Sequence, residues 1–335
     1  MRRRTFCGVM LGGLAVPAAT VGAASPDFQT WAAAYLRDGQ VIDWQQDAIS
    51  HSEGQGWGLL LAQVAGDREA FEQIEAWTVA HLAVRQDRLM AWSRRPEDGR
   101  IDWHNATDGD LFRAWALLRA ARDSGWSDHG EAAVAIARDL ANLCLAPDPR
   151  APAELLLVPG AEARRGGDRV LVNPSYIMPR ALRELGMAAN EPRLLRAADH
   201  CETLLAELAA AGQLWNWVDV TTSGFQEPLE HRAGWGYDAL RIPLYLSWSD
   251  RRAHPAFAAG LRLLQQGTSP GQVVVQRTAD GRPEAASDHP GFLALDRAAR
   301  CRSLPNWPAD RRSYYPDTLM MLANTALREG GCTRG

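Results

Sequence analysis

The sequence lacks an excess of basic residues, a long apolar run after residue 24 and an exact repeat. These absences exclude several common classes of protein. Its 335 residues carry a net charge of −4 at pH 7, so it lacks the basic excess typical of nucleic-acid binding. After residue 24, no apolar run is long enough to span a bilayer. There is no exact repeat, and no linker rich in proline or serine divides the chain. We therefore expect residues 25–335 to form a single globular domain.

Cysteine is also scarce, and its spacing does not indicate a metal site. Apart from Cys7 near the N-terminus, the chain has four cysteines without a Cys-x-x-Cys pair, which argues against a zinc site: Cys144, Cys201, Cys301 and Cys332. In an oxidising compartment they could form disulfides. Cys144 and Cys201 lie in apolar helical patterns that are equally typical of buried thiols. The sequence leaves both interpretations open.

Residues 1–24 are expected to be a cleaved export signal. Three arginines precede an apolar run that ends in the small residues Gly22, Ala23 and Ala24. Residues 3–6, Arg-Arg-Thr-Phe, also fit a loose twin-arginine pattern, so the general and twin-arginine routes both remain open. We therefore expect the mature chain to be periplasmic or secreted.

From residue 28 onward, apolar residues recur at helical spacing in about eleven or twelve segments. Helices of similar length joined by short turns must stack in pairs to bury their apolar faces. Without a fixed period, this pattern favours a closed, all-α ring of helical hairpins whose loops build a cleft at one end. One interruption, residues 153–159 and 168–174 around the glycine-rich GAEARRGGD, predicts a short β-hairpin.

Three acidic clusters share a glycine-rich turn, a carboxylate, an aromatic residue and a helix start. In the first, SEGQGWG, Glu53 lies near Trp57. Burial in a partly dry cleft would raise the pKa of this carboxyl, as a general acid at neutral pH requires. A helix-start acid, capped by Ser52 and favoured by the helix dipole, explains the same residues equally well.

The second cluster, HNATDGDLF, places Asp108 and Asp110 at a helix start just after Trp103. Their carboxylates suit sugar hydroxyls, although Thr107 and Asp108 are also common N-caps. A calcium loop is the weaker interpretation, because the other ligand positions are absent.

In the third cluster, GYDALR, Asp238 and Arg241 are three residues apart and can share a helix face. An arginine partner keeps an aspartate ionised, as a general base must be, although a structural ion pair explains the spacing too. Two carboxyls across a sugar chain are the minimum for glycoside hydrolysis. Of the 13 tryptophans, we assign about half to the core and regard the rest as candidate stacking platforms for sugar rings.

Taken together, the motifs resemble glycoside hydrolase family 8, most closely the bacterial endoglucanases found with cellulose synthases. The resemblance covers nearly the whole mature chain and rests on WAAAYLRDGQVIDW, SHSEGQGWGLLLA, ATDGDLFRAWALLRA, VNPSY, LWNWVDV, GYDALRIPLYLSW and YYPDTLMMLA. It implies an (α/α)6 barrel and endo-acting hydrolysis of β-1,4-glucan with inversion at the anomeric carbon. It implies no metal or organic cofactor, and the partners that it implies are a glucan chain and the cellulose synthase export machinery.

By position, the resemblance implies that Glu53 is the general acid and Asp238 the general base. Asp108 is similar to the central carboxylate that binds and distorts the sugar at the cleavage point. Inversion predicts about 6.5–9.5 Å between the acid and base carboxyls, enough for a water between them. The remaining substrate contacts that we expect are Trp103, Asp110, Tyr176, Arg241, Trp215, Trp217, Tyr237 and Gln55.

Some positions depart from the family pattern. Trp57 stands where relatives usually have tyrosine, Arg113 replaces an aliphatic residue, and Asn216 occupies a place often held by aspartate. None of these removes the expected acid, base or central aspartate. The alternatives that remain are a family member acting on chitosan, xylan or mixed-linkage glucan, and a non-catalytic glucan-binding protein of the export machinery. The acids argue against a helical-ring polysaccharide lyase.

Overall fold

The computed structural model describes residues 27–307, 311–330 and 332. The expected export signal lies outside these residues. The described residues contain eleven α-helices: α1 (Phe28–Tyr35), α2 (Ser52–Ala65), α3 (Arg68–His81), α4 (Thr107–Asp123), α5 (Gly130–Leu143), α6 (Pro179–Ala188), α7 (Pro192–Ala211), α8 (Ile242–Trp248), α9 (Pro255–Gln265), α10 (Pro290–Ala299) and α11 (Tyr314–Glu329).

The helix boundaries follow ordinary capping chemistry. The side chain of Asp67 accepts a hydrogen bond from Ala70 N at 3.0 Å and begins α3. Gly66 and Gly212, with φ of 73° and 71°, end α2 and α7 in the left-handed conformation that glycine adopts without strain. Each of the predicted helical segments overlaps one of these helices. No helix in the described ranges is both long and apolar enough to cross a membrane.

Five helices form a closed inner ring. Contacts run from α2 to α4, α6, α8 and α11, and α11 returns to α2. Helices α3, α5, α7, α9 and α10 each pair with a neighbouring ring helix from outside, while α1 packs against α2 and α11. The ring helices α2 and α4 are buried almost all round, as expected of helices with neighbours on every side. These contacts confirm the predicted all-α ring of helical hairpins, and the five inner–outer pairs together with α1 make up the described part of the (α/α)6 barrel.

Short antiparallel strands lie between the helices along the chain: β1 (Leu36–Arg37), β2 (Gln40–Val41), β3 (Ser50–His51), β4 (Ser93–Arg94), β5 (Ile101–Asp102), β6 (Leu145–Asp148), β7 (Ala151–Leu157), β8 (Arg165–Gly166), β9 (Arg169–Val172), β10 (Val218–Thr221), β11 (Gly224–Gln226), β12 (Val273–Arg277) and β13 (Pro283–Ser287). They form the sheets β3–β4–β5 and β8–β9–β10–β11 and the pairs β1–β2, β6–β7 and β12–β13. Most of these sheets lie in the loops that connect the helices.

The two segments predicted to pair as one hairpin are strands, but they pair with other partners. β7 forms its hairpin with β6, and β9 pairs with β8 and with β10, where Val172 lies opposite Val218. The pairing of residues 153–159 with 168–174 was therefore wrong. The reason is that both strands have nearer or longer partners, one of them about 50 residues away in sequence.

The floor of the ring is held by the carboxylate of Glu329, at the end of α11. Arg119 of α4 donates two hydrogen bonds to it, at 2.6 and 2.8 Å, and Arg180 of α6 donates a third at 3.0 Å. The indole of Trp248 on α8 donates a fourth at 3.0 Å, and Arg119 also donates to Gln63 of α2 at 2.8 Å. This carboxylate thus links α11 directly to α4, α6 and α8, and Arg119 extends the network to α2.

The structure resolves the alternatives for the cysteines. Cys301 and Cys332 form a disulfide that joins the end of α10 to the residues after α11. Cys144 and Cys201 are buried free thiols, and burial raises the pKa of each to about 12. Both of them therefore pack as small apolar residues.

Removal of the floor carboxylate tests how much the ring depends on it. We expect Glu329→Ala to lower the free energy of unfolding by about 3 kcal/mol, because it leaves two arginines without their partner in a mostly buried site. Urea denaturation measures the change. Glu97→Ala, at an exposed loop carboxylate, is the control and should have little effect. Equal stabilities of the two variants would contradict the role of Glu329.

Candidate active site

A cleft of about 600 Å³ opens at the end of the ring where the inner helices begin. Glu53 lies in the first turn of α2, Asp108 in the first turn of α4, and Asp238 just before the 3-10 turn Ala239–Arg241 that leads into α8. All three carboxyls line this cleft. The structure therefore brings together the three acids that the sequence separates by up to 185 residues, since their helices start at the same end of the barrel.

Arg241 joins the three acids from below. One of its terminal nitrogens, Nη1, donates to Oε2 of Glu53. The other, Nη2, lies 3.4 Å from Oδ1 of Asp238 and 3.5 Å from Oδ2 of Asp108, and it donates to Oγ of Ser175 at 2.9 Å. The arginine is almost completely buried, so its charge is poorly screened by water. The predicted pair of Asp238 and Arg241 is present as part of this larger cluster.

Trp57 is buried beneath the same cluster. Its ring centre lies 5.3 Å from the guanidinium carbon of Arg241, and its indole packs edge-on against Phe112. A cation over an indole face is attracted by the ring quadrupole. The tryptophan at this departure from the family pattern therefore supports the arginine rather than the substrate.

The glycines around Glu53 serve helix packing rather than a turn. They lie inside α2, which begins at Ser52, so the glycine-rich turn predicted here is the first part of a helix. A Cβ atom on Gly56 would stand 2.7 Å from the carbonyl oxygen of Gly109, and one on Gly109 would stand 2.8 Å from the backbone nitrogen of Glu53. Because both residues lack a side chain, α2 and α4 approach closely enough to bring Glu53 and Asp108 together.

The predicted caps of these two helices were also wrong. α2 is capped by His51, whose Nδ1 accepts from Gly54 N at 3.0 Å, and Ser52 Oγ faces Gly109 instead. α4 has Ala106 at its N-cap position, and the Thr107 hydroxyl donates to Val158 O at 2.7 Å. Asp108 is consequently free of a capping role and available to the cleft.

Glu53 and Asp108 influence each other's titration, and their pKa values move in opposite directions. Burial pushes the pKa of Glu53 upward, but its interactions with Arg241, Asp108 and His51 together outweigh burial and lower it. Burial and the charge of Glu53 raise the pKa of Asp108 well above its ordinary value. Asp108 is therefore the carboxyl with the raised pKa, whereas the sequence predicted a raised pKa for Glu53.

Asp238 is held from two sides. Nδ2 of Asn173 donates to its Oδ2 at 3.2 Å, and Arg241 faces its Oδ1. Burial raises the pKa of Asp238 despite the opposing charge of Arg241, whereas the sequence predicted a simply ionised carboxylate. Asn216, at a second departure from the family pattern, accepts from Ala239 N at 3.0 Å and so fixes the turn that follows Asp238.

The predicted aromatic contacts lie at different positions relative to the cleft. Tyr176 and Trp217 line the cleft, with their rings 6.2 Å apart in an edge-to-face arrangement. Trp103 is 55% exposed and lies beside the cleft, between two of its lining residues, Asp102 and His104. Tyr237 is partly exposed next to Asp238, and its carbonyl accepts from the hydroxyl of Tyr315.

Three predicted substrate contacts lie in the core and not at the cleft. Gln55 binds Val41 N at 2.6 Å and Thr78 Oγ1 at 2.8 Å. Trp215 belongs to the apolar core. Asp110 accepts from Met90 N at 2.7 Å and from Asn105, and burial raises its pKa to about 7. Helical periodicity explains the error, because Gln55 and Asp110 lie two residues beyond Glu53 and Asp108 and point away from them.

Other residues that were not predicted from the sequence also line the cleft, among them Trp92, Gln46, His51 and His231. The ring of His231 stacks on Trp217 with centroids 4.0 Å apart and planes 9° apart. Of these residues, only His51 carries a local signal, since it stands two residues before Glu53. In the described ranges, no cluster of three or more His, Cys, Asp or Glu residues is arranged to hold a metal ion.

A cleft that is lined by two or more carboxyls provides the groups that glycoside hydrolysis requires. Comparison with known families makes the assignment specific. The chain belongs to the glycosyl hydrolases family 8, whose family model matches residues 2–327.

Relatives of known sequence and structure agree with this assignment. A probable endoglucanase of Novacetimonas hansenii is 32% identical over 95% of this chain and 97% of its own length. An endoglucanase of Cellulomonas uda is 32% identical over 64% of this chain and 60% of its own. Among solved structures, the endo-β-1,4-glucanase of Acetobacter xylinum is 28% identical, with a TM-score of 0.78 and coverage of 91% and 97% of the two chains.

The close approach of α2 and α4 can be tested with one methyl group. We expect Gly109→Ala to destabilise the protein by about 1–3 kcal/mol and to displace Glu53, because its Cβ would meet the backbone at Ser52 and Glu53. Thermal unfolding measures the loss.

Gly130→Ala is the matched control, because a Cβ there, at the start of α5, meets only Ala121 at 3.6 Å. It should be neutral or stabilising, since alanine favours the helix. A Gly109→Ala protein as stable as the control would show that the helices have room to spare.

Proposed function

We propose that this protein is an inverting endo-β-1,4-glucanase that hydrolyses cellulose-type glucans. The observation that supports it most is the placing of Glu53, Asp108 and Asp238 around one guanidinium at the floor of an open cleft. The endoglucanase names of the relatives, reported above, support the substrate and the endo mode of attack. We further propose that residues 25–335 form one catalytic domain.

In this proposal Glu53 is the general acid, supplied with its proton by Asp108. The pKa of Asp108 is raised and that of Glu53 is lowered, and we propose that Asp108 holds the proton that the two carboxyls share before substrate binds. A sugar ring over the site excludes water and forms its own hydrogen bonds to Asp108. The shared proton then moves to Glu53, which delivers it to the glycosidic oxygen as the bond breaks.

Asp238 is the proposed general base. Asn173 and Arg241 occupy one atom each of its carboxylate and fix its orientation. A water between Asp238 and the anomeric carbon loses a proton to this carboxylate as it attacks. Asp238 and Glu53 contact different nitrogens of the same guanidinium. Tyr176 borders the same part of the cleft.

A neutral glucan suits the cleft better than chitosan does. A cationic sugar needs carboxylates that are not already paired with basic side chains. The other acids that line the cleft are paired with such side chains, namely Asp102 with His104, Glu162 with Arg85, and Glu230 with Arg164. Xylan and mixed-linkage glucan remain as neutral alternatives for the test below.

We also propose that the enzyme is exported and acts in the periplasm or outside the cell, in connection with cellulose production and its export machinery. The N-terminal pattern of residues 1–24 supports export, and the Cys301–Cys332 disulfide is compatible with an oxidising compartment. The link to cellulose production rests on the family resemblance. A non-catalytic glucan-binding role is disfavoured, because the carboxyls that catalysis needs are all present.

The first test follows the anomeric proton of the new reducing end by NMR while the protein acts on cello-oligosaccharides. Inversion predicts that the α-anomer forms first. Glu53→Gln and Asp238→Asn should each lower kcat by about 10²–10⁴-fold, the usual contribution of a general acid or base. Glu97→Gln, at an exposed carboxylate, is the matched control and should leave kcat unchanged.

Three outcomes would contradict the proposal in different ways. A β-anomer formed first would mean retention. Near-normal activity of Glu53→Gln or Asp238→Asn would show that the acid or the base is misassigned. Cleavage of xylan or mixed-linkage glucan alone would replace the substrate.

The aromatic residues beside and within the cleft provide a binding test. We expect Trp103→Ala and Trp217→Ala each to weaken cello-oligosaccharide binding by about 1–3 kcal/mol, the scale of aromatic stacking on flat ligands. Calorimetry on a Glu53→Gln background measures binding without cleavage. Trp77→Ala, on the outer helix α3, is the control. Unchanged affinity would remove the tested indole from the substrate path.

A further inference from the structure

His51 joins a structural role to the cleft. It is the last residue of β3 and the N-cap of α2, and its Nδ1 accepts a hydrogen bond from Gly54 N at 3.0 Å. The residue as a whole is only 6% exposed, yet it belongs to the lining of the cleft beside Glu53. Gly54 follows Glu53 directly, so the capping bond closes around the residue that carries the proposed acid.

This hydrogen bond fixes the protonation state of the ring. A backbone N–H donates, so Nδ1 must accept, and the single ring proton is on Nε2. An imidazolium carries a proton on both nitrogens and cannot accept the bond at all. The cap therefore exists only while His51 is neutral.

The surroundings keep the ring neutral. Tyr314 of α11 packs edge-on against it at 5.7 Å, and Asp43 Oδ2 lies 3.9 Å from Nε2. The charged groups that face it are Asp43, Glu53 and Arg241. Burial and Arg241 lower the pKa of His51 and outweigh the two acids, which raise it.

The backbone before α2 is held separately. Ser50 and His51 pair with Arg94 and Ser93 of β4, and Ser52 N donates to Trp92 O at 2.8 Å. The hydroxyl of Ser52, directed at Gly109, does not cap the helix. The side chain of His51 thus fixes the position of the first turn of α2 relative to β3.

We propose that His51 is a positioning residue for catalysis, whose neutral imidazole holds the first turn of α2 so that Glu53 meets Arg241 and Asp108. The proposal deepens the function proposed above and rests on Glu53 being the acid. It predicts a hydrogen-bond acceptor, and not an imidazole as such, as the requirement at position 51. It also predicts that protonation of His51 releases the turn and impairs catalysis.

Two variants separate these requirements. His51→Ala removes the cap, and we expect kcat to fall by about tenfold with KM little changed, the factor that corresponds to one lost N-cap bond. Asparagine is among the best N-cap residues, so His51→Asn should restore kcat to within about threefold of the original protein. The acid limb of its kcat/KM profile should be less steep, because asparagine cannot be protonated in this range.

A kcat of His51→Ala equal to that of the original protein would overturn the proposal. So would a kcat of His51→Asn as low as that of His51→Ala, since the imidazole itself would then be needed by the substrate. An unchanged acid limb in His51→Asn would overturn the predicted effect of protonation.

A direct readout does not depend on activity. Nitrogen-15 NMR of the imidazole in the full-length protein at neutral pH should show Nδ1 unprotonated and Nε2 protonated, and a proton on Nδ1 would overturn the proposal even if His51→Ala fails to fold. If Glu53→Gln retains activity, the acid is misassigned, whereas the tautomer and the cap at His51 still stand or fall on this measurement. The two failures are therefore distinguishable.

Discussion

The buried guanidinium of Arg241 is the interaction on which the site depends. Three carboxyls from α2, α4 and the turn before α8 could not share a poorly hydrated cleft floor without a positive charge among them, because their mutual repulsion would be weakly screened. The cation also makes the acids unequal. Glu53, in closest contact with it, has a lowered pKa, whereas those of Asp108 and Asp238 are raised.

The same principle operates at the opposite end of the ring, with the signs exchanged. There one carboxylate, Glu329, gathers two arginines and an indole from neighbouring helices. The chain contains no lysine, and an arginine fork is the side chain that can hold several oxygens in fixed directions. Between these two charged clusters, the apolar core and the glycine contact of α2 with α4 set the spacing of the barrel.

The sequence predicted the helices and the ring well, and it singled out three acids that line one cleft, because helical periodicity and short acidic motifs are local signals. It failed where the answer depended on contacts distant in sequence. β9 pairs with β10 rather than with its neighbour β7. Asp110 and Gln55, adjacent to the right motifs, point into the core. The glycines near Glu53 looked like a turn because the helix against which they pack, α4, begins more than 50 residues later.

The amino-acid order alone determines the class of fold, the family resemblance and the residue types available for chemistry, because periodicity and motifs are local features of the sequence. Only the tertiary structure decides which acid has the raised pKa, which histidine caps the helix and which cysteines are joined. Each of these is set by burial and by distances between residues remote in sequence. A pKa in particular depends on every charge and every displaced water around the group.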